Sequence, residues 1–180
     1  LGGSFYSPNI EDYYLTPWEL GMGHILKFDH DFVGRTALEE KAKGPHRKKV
    51  TLVWDPDDVA RVIGSLYTRP KGERYKYLDL PLGQYATWMY DAVLNDRGEV
   101  VGFAMWTGYT SNEGAELSLA TVREEYAQPG TRLTLVWGEP NGGSRKPSVE
   151  RHVQTEIRVT VGPAPYSEAA RRYRETVTRH

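Results

Sequence analysis

The chain contains no cysteine. That excludes disulfides, a thiolate nucleophile and every zinc site built on cysteine. An excess of one charge is missing too: 23 Lys and Arg stand against 24 Asp and Glu, a formal net charge of -1. No overall basic field exists to attract a nucleic acid, and no acidic field to attract a basic partner. No apolar run approaches the ~20 residues of a membrane-spanning helix. Self-contained catalytic signatures are lacking: there is no G-x-S-x-G, H-E-x-x-H, P-loop or G-x-G-x-x-G. The chain opens Leu1-Gly2-Gly3-Ser4, with neither an initiator Met nor an apolar signal segment. The expectation is a piece of a longer cytoplasmic protein.

What is present is a foldable composition. Hydrophobic residues make up 39% of 180, enough for a core and too many for wholesale disorder. Aromatics are frequent, with 12 Tyr and 5 Trp. Many crowd residues 1–33, where Pro8, Pro17, Gly21 and Gly23 prevent a long helix. Such a segment should lie over a surface and bury its rings there. Thr36-Ala37-Leu38-Glu39 fits a capping box for a short helix, with Glu39 and Lys43 spaced to pair, and Gly44-Pro45 ends it. His46-Arg47-Lys48-Lys49 reads as a solvated basic loop.

Val50 to Trp54 reads as a strand. Asp55-Pro56-Asp57-Asp58 then starts a helix, with Val59, Val62, Ile63 and Leu66 on one face. Residues 68–84 are polar and broken by Pro and Gly, a long loop. Trp88 to Leu94 and Glu99 to Trp106 form a hairpin through Asn95-Asp96-Arg97-Gly98. Thr131 to Trp137 is a strand, and Val153, Thr155, Ile157, Val159 and Val161 mark one face of another. Gly138 to Pro147 is a loop, and Tyr166 to Arg174 a terminal helix. The sum is a mostly β domain with helices, an α+β chain, and hairpins at this spacing favour a small barrel or sandwich.

Asp29-His30-Asp31 is the most tempting catalytic or metal cluster, but adjacent residues do not converge on one point. The plainer reading is that Asp31 caps the next helix or turn and His30 packs or is solvated. The other histidines, His24, His46, His152 and His180, show no ligand spacing, so no metal site is expected. Asp57-Asp58 and Glu124-Glu125 read as helix starts or solvated faces. Aromatics with interleaved Arg can stack a base or a pterin, though core packing is the default for any one ring. Trp18, near Tyr13 and Tyr14, is the least core-like.

Thr16-Pro17-Trp18-Glu19-Leu20-Gly21-Met22-Gly23-His24, followed by Asp31-Phe32-Val33-Gly34-Arg35-Thr36-Ala37-Leu38, resembles the P-L-x-x-x-L/M-G-W and D-F-I-G-R-E-A-L signatures of the glycine cleavage T-protein (aminomethyltransferase) family. Lys48 to Val53 resembles the start of that family's carboxy-terminal barrel. Leu117-Ser118-Leu119-Ala120-Thr121-Val122 resembles its "I-A-L-A-x-V" run, and Pro129-Gly130 precedes the next strand as in the family. Three departures are informative. His24 replaces a Trp, Met105 to Ser111 replaces the T-S-G-x-x-S-P loop, and Gly162 to Glu168 differs from the usual end. In these places the chain looks more like the family's tetrahydrofolate-dependent O-demethylases, which act on methoxylated aromatic acids such as vanillate and syringate.

The resemblance implies that residues 1–46 form the tail of a central α/β folate-binding domain. Residues 47–180 would form an aminomethyltransferase-type Greek-key β-barrel with a terminal helix. It implies tetrahydrofolate as cofactor, a small-molecule methyl donor and missing amino-terminal domains that carry the catalytic residues, so that this stretch alone is inactive. Trp18 and His24 are the residues it offers as walls of the folate or substrate cleft, with interdomain packing as the other reading. Arg35 anchors a helix start or domain contact, and Trp106 and Tyr109 line the barrel side, with core packing preferred. A glycine-cleavage aminomethyltransferase or a related amine- or sulfonium-demethylating enzyme is the alternative, and a non-catalytic binding barrel the alternative from another class.

Overall fold

The computed structural model describes residues 2–82, 88–143 and 149–177. Part of the loop expected up to Pro147, and His180, lie outside them. Six antiparallel strands close into a barrel: β1 (Lys48–Trp54), β2 (Asp91–Leu94), β3 (Val100–Thr110), β4 (Ala115–Val122), β5 (Arg132–Trp137) and β6 (Thr155–Gly162). Their order around the barrel is β1-β4-β3-β2-β5-β6. A meander of three strands with β1 returning beside β4 is a Greek key. Closure leaves no open sheet edge. The mostly β expectation is met. β4, seen in the sequence only as an apolar run, is a full strand pairing with both β1 and β3.

Alternation decides the interior. Leu52 and Trp54 of β1, Leu135 and Trp137 of β5 and Ile157 and Val159 of β6 meet inside. Trp54 and Trp137 touch edge to face at 5.4 Å. The helix α2 (Pro56–Thr68) leaves β1 directly and inserts Val62 into this core. Its start follows the sequence: the Asp55 carboxylate accepts from the amides of Asp57 and Asp58 at 3.1 and 3.3 Å. The hairpin between β2 and β3 is likewise local. Asn95 Oδ1 accepts from the amides of Arg97 and Glu99 at 3.0 Å, and Gly98 takes φ 74°.

Several expectations need correction. The helix α1 (Arg35–Ala42) starts one residue before Thr36, with Gly34 at φ 91° as its N-cap. Thr36 therefore sits inside the first turn and caps nothing. Glu39 accepts from Arg35 at 2.8 Å rather than pairing with Lys43, which takes Glu40 at 2.6 Å. β2 begins at Asp91, because residues 88–90 pair with the amino-terminal segment instead. Gly2 donates to the Trp88 carbonyl at 2.8 Å, and the Tyr90 amide to Gly2 at 3.0 Å. β6 begins at Thr155, since the Val153 amide goes to the Arg74 carbonyl at 2.7 Å. The terminal helix α3 (Glu168–Val177) falls near its expected place. Among the described residues, no helix is long and apolar enough to cross a membrane.

The aromatic leader lies on the outer wall of β3. Phe5, Tyr13 and Leu15 pack against Phe103 and Met105, which point outward, with Tyr90 between them. Tyr90 stacks on Phe103 at 4.3 Å. The expected burial of leader rings holds in part: Phe5 and Tyr13 are half-buried. Tyr6 and Tyr14 stay exposed.

Candidate functional site

Thr16 and Glu19 build a reciprocal turn in the leader. The Thr16 amide donates to Glu19 Oε2 at 2.7 Å, and the Glu19 amide to Thr16 Oγ1 at 3.4 Å. Glu19 is buried and pairs with Arg47. Burial would raise the Glu19 pKa, but hydrogen bonds from Arg47 and the Thr16 amide hold it below the usual carboxylate range. Arg47 also donates to the carbonyls of Asp12 and Tyr14 at 3.2 and 3.0 Å, and its guanidinium lies 4.8 Å over the Phe103 ring. This overturns the solvated-loop reading of the basic run. Arg47 is a clasp between leader and barrel, and only the buried acid 28 residues upstream reveals it.

That turn presents Trp18. Its ring stacks on His46 at 4.5 Å, tilted by 13°. Gly23 presses so close that a Cβ there would sit 2.5 Å from Trp18 Cδ1. His24 follows in a 3-10 turn and is exposed. The sequence candidates thus sit beside one glycine, one ring fixed and one free in solvent. Arg35 opens α1 and reaches Asp31 at 3.3 Å, which takes Asp31 away from His30. The His30 ring pairs with Asp29 at 2.8 Å, both well exposed, and lies 5.6 Å from the Phe32 ring. The triplet does not converge, and among the described residues no group of three His, Asp or Glu could hold a metal ion.

A second constellation escaped the sequence. Antiparallel pairing brings the start of β2 and the end of β5 to the barrel end near α2. There Lys76, fully buried, sets its Nζ 2.9 Å from Glu139 Oε2 and 3.0 Å from Oε1. The Gly3 amide donates to Glu139 at 2.9 Å, and the Ser4 amide to Asp91 at 3.3 Å. Burial opposes ionisation of Glu139, yet His152, Gly3 and Lys76 together hold its pKa well below the usual range. Asp91 has weaker help, and burial pushes it up to about 6. His152 is buried, its Nδ1 bonded to the Glu150 carbonyl and its Nε2 to the Glu139 amide, both at 2.9 Å. Burial disfavours the His152 cation, but the carboxylate 3.2 Å from Nε2 favours it more, and the pKa rises. These groups are too enclosed to meet a substrate; they lock the leader and two loops onto the barrel. Asp58 is also no solvated acid. It takes the Arg158 amide at 2.9 Å and Nε at 2.8 Å. Burial opposes this charge, and the Arg158 bonds lower its pKa to about 2.

The third feature is a hollow of 460 Å³ on the outer wall, bounded by Leu82, Trp106, Tyr109 and Tyr166. Core packing of Trp106 and Tyr109 is not what the fold uses. A register shift between Met105 and Thr107 makes Trp106 the extra residue of a bulge, with φ 51°, and turns it outward. Trp88 meets its ring edge-on at 4.7 Å. Across the β3–β4 ladder from Tyr109 stands Glu116, buried with neither carboxylate oxygen hydrogen-bonded. Burial alone pushes it up to about 7.

A Greek-key barrel clasped by an aromatic leader is the class that these features define. Curated proteins match it over nearly its whole length. Syringate O-demethylase of Sphingobium sp. is 50% identical over 171 residues, covering 95% of this chain and 36% of that protein. Sesamin methylene transferase of Sinomonas sp. is 36% identical over 167 residues, covering 88% of this chain and 34% of that protein. The chain therefore spans about a third of the length of the curated relatives it matches. The likeness to O-demethylases read from the sequence is borne out by the 50% identity with syringate O-demethylase. Among solved structures, glycine cleavage system aminomethyltransferase T from Bartonella henselae covers 85% of this chain and 32% of its own, with a TM-score of 0.47 and 16% identity. No family model matches the chain.

Proposed function

We propose that the chain is the carboxy-terminal portion of a tetrahydrofolate-dependent one-carbon transferase that O-demethylates a methoxylated aromatic acid. Residues 1–46 would close the folate-binding domain and residues 47–180 supply the barrel, in a cytoplasmic protein whose amino-terminal domains hold the catalytic groups. The 50% identity with syringate O-demethylase across 171 residues carries this reading. The match to sesamin methylene transferase favours a donor whose carbon leaves an aryl ether oxygen over an amine donor.

Such a reaction breaks the methyl C–O bond, and the phenolate oxygen that leaves takes up a proton. Bound tetrahydrofolate supplies the nitrogen that accepts the carbon. The residues here fit a supporting role: a pterin wall needs an aromatic ring in one fixed orientation, and His46 and Gly23 hold Trp18 in one. His24, beside it and exposed, can face substrate or folate. Arg47 and Glu19 keep this wall attached to the barrel.

The test is the full-length protein incubated with tetrahydrofolate and vanillate, syringate or sesamin. Formation of the free phenol together with methyl-tetrahydrofolate from vanillate or syringate, or with methylene-tetrahydrofolate from sesamin, supports the reading. Turnover of an amine donor but of no aryl ether moves the protein to the aminomethyltransferase alternative. Failure to bind tetrahydrofolate by calorimetry excludes both and leaves a binding barrel.

A further inference from the structure

The chain carries a net charge of -1, yet one of its hollows gathers cations that lack a counter-ion. It has a volume of 1020 Å³ and opens between Leu66 of α2, the connection that follows this helix and the loop before β6. Lys71, Arg74 and Arg151 all line it. Among the described residues, none of these three pairs with a carboxylate. Arg61, 5.1 Å over the Tyr75 ring of the same wall, by contrast reaches Asp58 at 3.2 Å. Glu73 and Glu150 also line the hollow, so three cations face two acids. Glu150 is engaged in the wall itself, where its Oε1 accepts from the Tyr77 amide at 2.6 Å.

The walls are held, not merely solvated. The Val153 amide donates to the Arg74 carbonyl at 2.7 Å, and the Tyr75 amide to Ser65 Oγ at 3.1 Å. These bonds tie the connection to the loop on one side and to α2 on the other. Arg74 Nε donates to the Arg69 carbonyl at 3.0 Å. That bond fixes the plane of the guanidinium. Both its Nη groups, unpartnered among the described residues, stay available for the two oxygens of one oxyanion. Arg151 lies against Gly142, where a Cβ would sit 3.4 Å from its Nη2. Leu66, Tyr75 and Tyr77 give the hollow an apolar side. Concave spaces with apolar walls and a few placed polar groups are where small molecules bind, and held guanidinium groups recognise carboxylate and phosphate. Two arginines and a lysine around one hollow suit more than one such group.

We propose that this hollow binds a small molecule carrying two or more oxyanionic groups, a phosphate ester or a di- or tricarboxylate, with Arg74, Arg151 and Lys71 as its donors. The site shares no residue with the Trp18 wall, and its occupancy is independent of the demethylase reading.

Isothermal titration calorimetry of the full-length protein with pyrophosphate, ATP and citrate tests this. At least one of them should bind saturably. Arg74→Gln and Arg151→Gln should each weaken that binding by about tenfold or more, the size of a lost charge-assisted hydrogen bond. Arg132→Gln, at an exposed position on β5, should leave it unchanged. Pyrophosphate or ATP as the tightest binder assigns a phosphate ester, and citrate as the tightest assigns a polycarboxylate. No saturable binding of any of the three overturns the proposal. So does equal weakening by Arg132→Gln, which would reveal only a general attraction to positive charge. Binding of an RNA oligonucleotide with none of the small anions overturns it too, because the hollow is then part of a macromolecular face. Absence of demethylation in a parent protein that binds these anions overturns the functional reading alone.

Discussion

Lys76 and Glu139 meet at 2.9 Å inside the end of the barrel, the lysine wholly withdrawn from water and the carboxylate nearly so. Each is there because the other is. Lys76 comes from the long connection after α2, and Glu139 follows β5, so the pair staples two loops together. Through the Gly3 amide it holds the leader as well.

Removing Lys76 takes the cation away from the buried Glu139 carboxylate and leaves it to the Gly3 amide and His152. Lys76→Met should destabilise the chain by about 3–5 kcal/mol in urea unfolding. Lys76→Met with Glu139→Leu should regain much of that loss, because an apolar pair of similar volume carries no desolvation cost. A single variant within ~0.5 kcal/mol of the parent, the range of ordinary surface changes, would contradict a structural role for the pair.

Asp58 makes the acid limb of stability measurable. Its pKa falls from the ordinary 3.8 to about 2 in the folded chain. Its contribution is therefore present above pH ~4 and is lost as the pH falls through the folded value. The stability difference between the parent and Asp58→Asn should be full at pH 6 and shrink steadily toward pH 2. A difference independent of pH across that interval would mean that Arg158 does not hold the carboxylate in solution.

Two glycines separate space from backbone. A Cβ at Gly102 would fall 2.0 Å from the Thr121 carbonyl oxygen on β4, so Gly102→Ala forces the β3–β4 pair apart. Its cost should exceed ~4 kcal/mol, with little soluble protein recovered. Gly98→Ala meets open space but keeps φ 74°, and should cost only about 1 kcal/mol. Thermal unfolding of both distinguishes the mechanisms, and equal losses would refute the assignment.

The legible parts of the chain are those whose causes lie within a few residues. The Asp55 cap, the Asn95–Gly98 turn and the alternation of Leu133, Leu135 and Trp137 each use local chemistry, and the structure keeps them. Arg47, Lys76, Asp58 and His152 were not legible, because their partners lie 28, 63, 100 and 13 residues away. A charged residue within a polar stretch reads as solvated until the fold supplies its counter-ion. Trp106 was misplaced for a related reason: one extra residue in a strand reverses the facing of the next, and nothing in Met105-Trp106-Thr107 announces a bulge. The leader motifs were read as a family signature. Their physical content, the Thr16–Glu19 turn clasped by Arg47 and the Trp18–His46 stack, emerged only from the fold.

Glu116 gives the opposite pH dependence to Asp58. It is buried with neither oxygen hydrogen-bonded, and burial lifts its pKa from 4.5 to about 7. The folded chain then binds this proton more tightly than the unfolded chain does. Stability from the neutral acid is full below pH ~4.5 and declines as the pH rises to about 7, by a few kcal/mol in total. Glu116→Gln cannot ionise, so its stability relative to the parent should improve over that interval and level off above it. Asp91, lifted to about 6, titrates in the same window, but it is present in both proteins and drops out of the difference. Carboxyl-carbon NMR of the parent should show one glutamate titrating near neutrality and missing from the variant. If every glutamate titrates near 4, or if the stability difference is flat from pH 4 to 8, the carboxylate has a partner or water in solution and is not the isolated acid described.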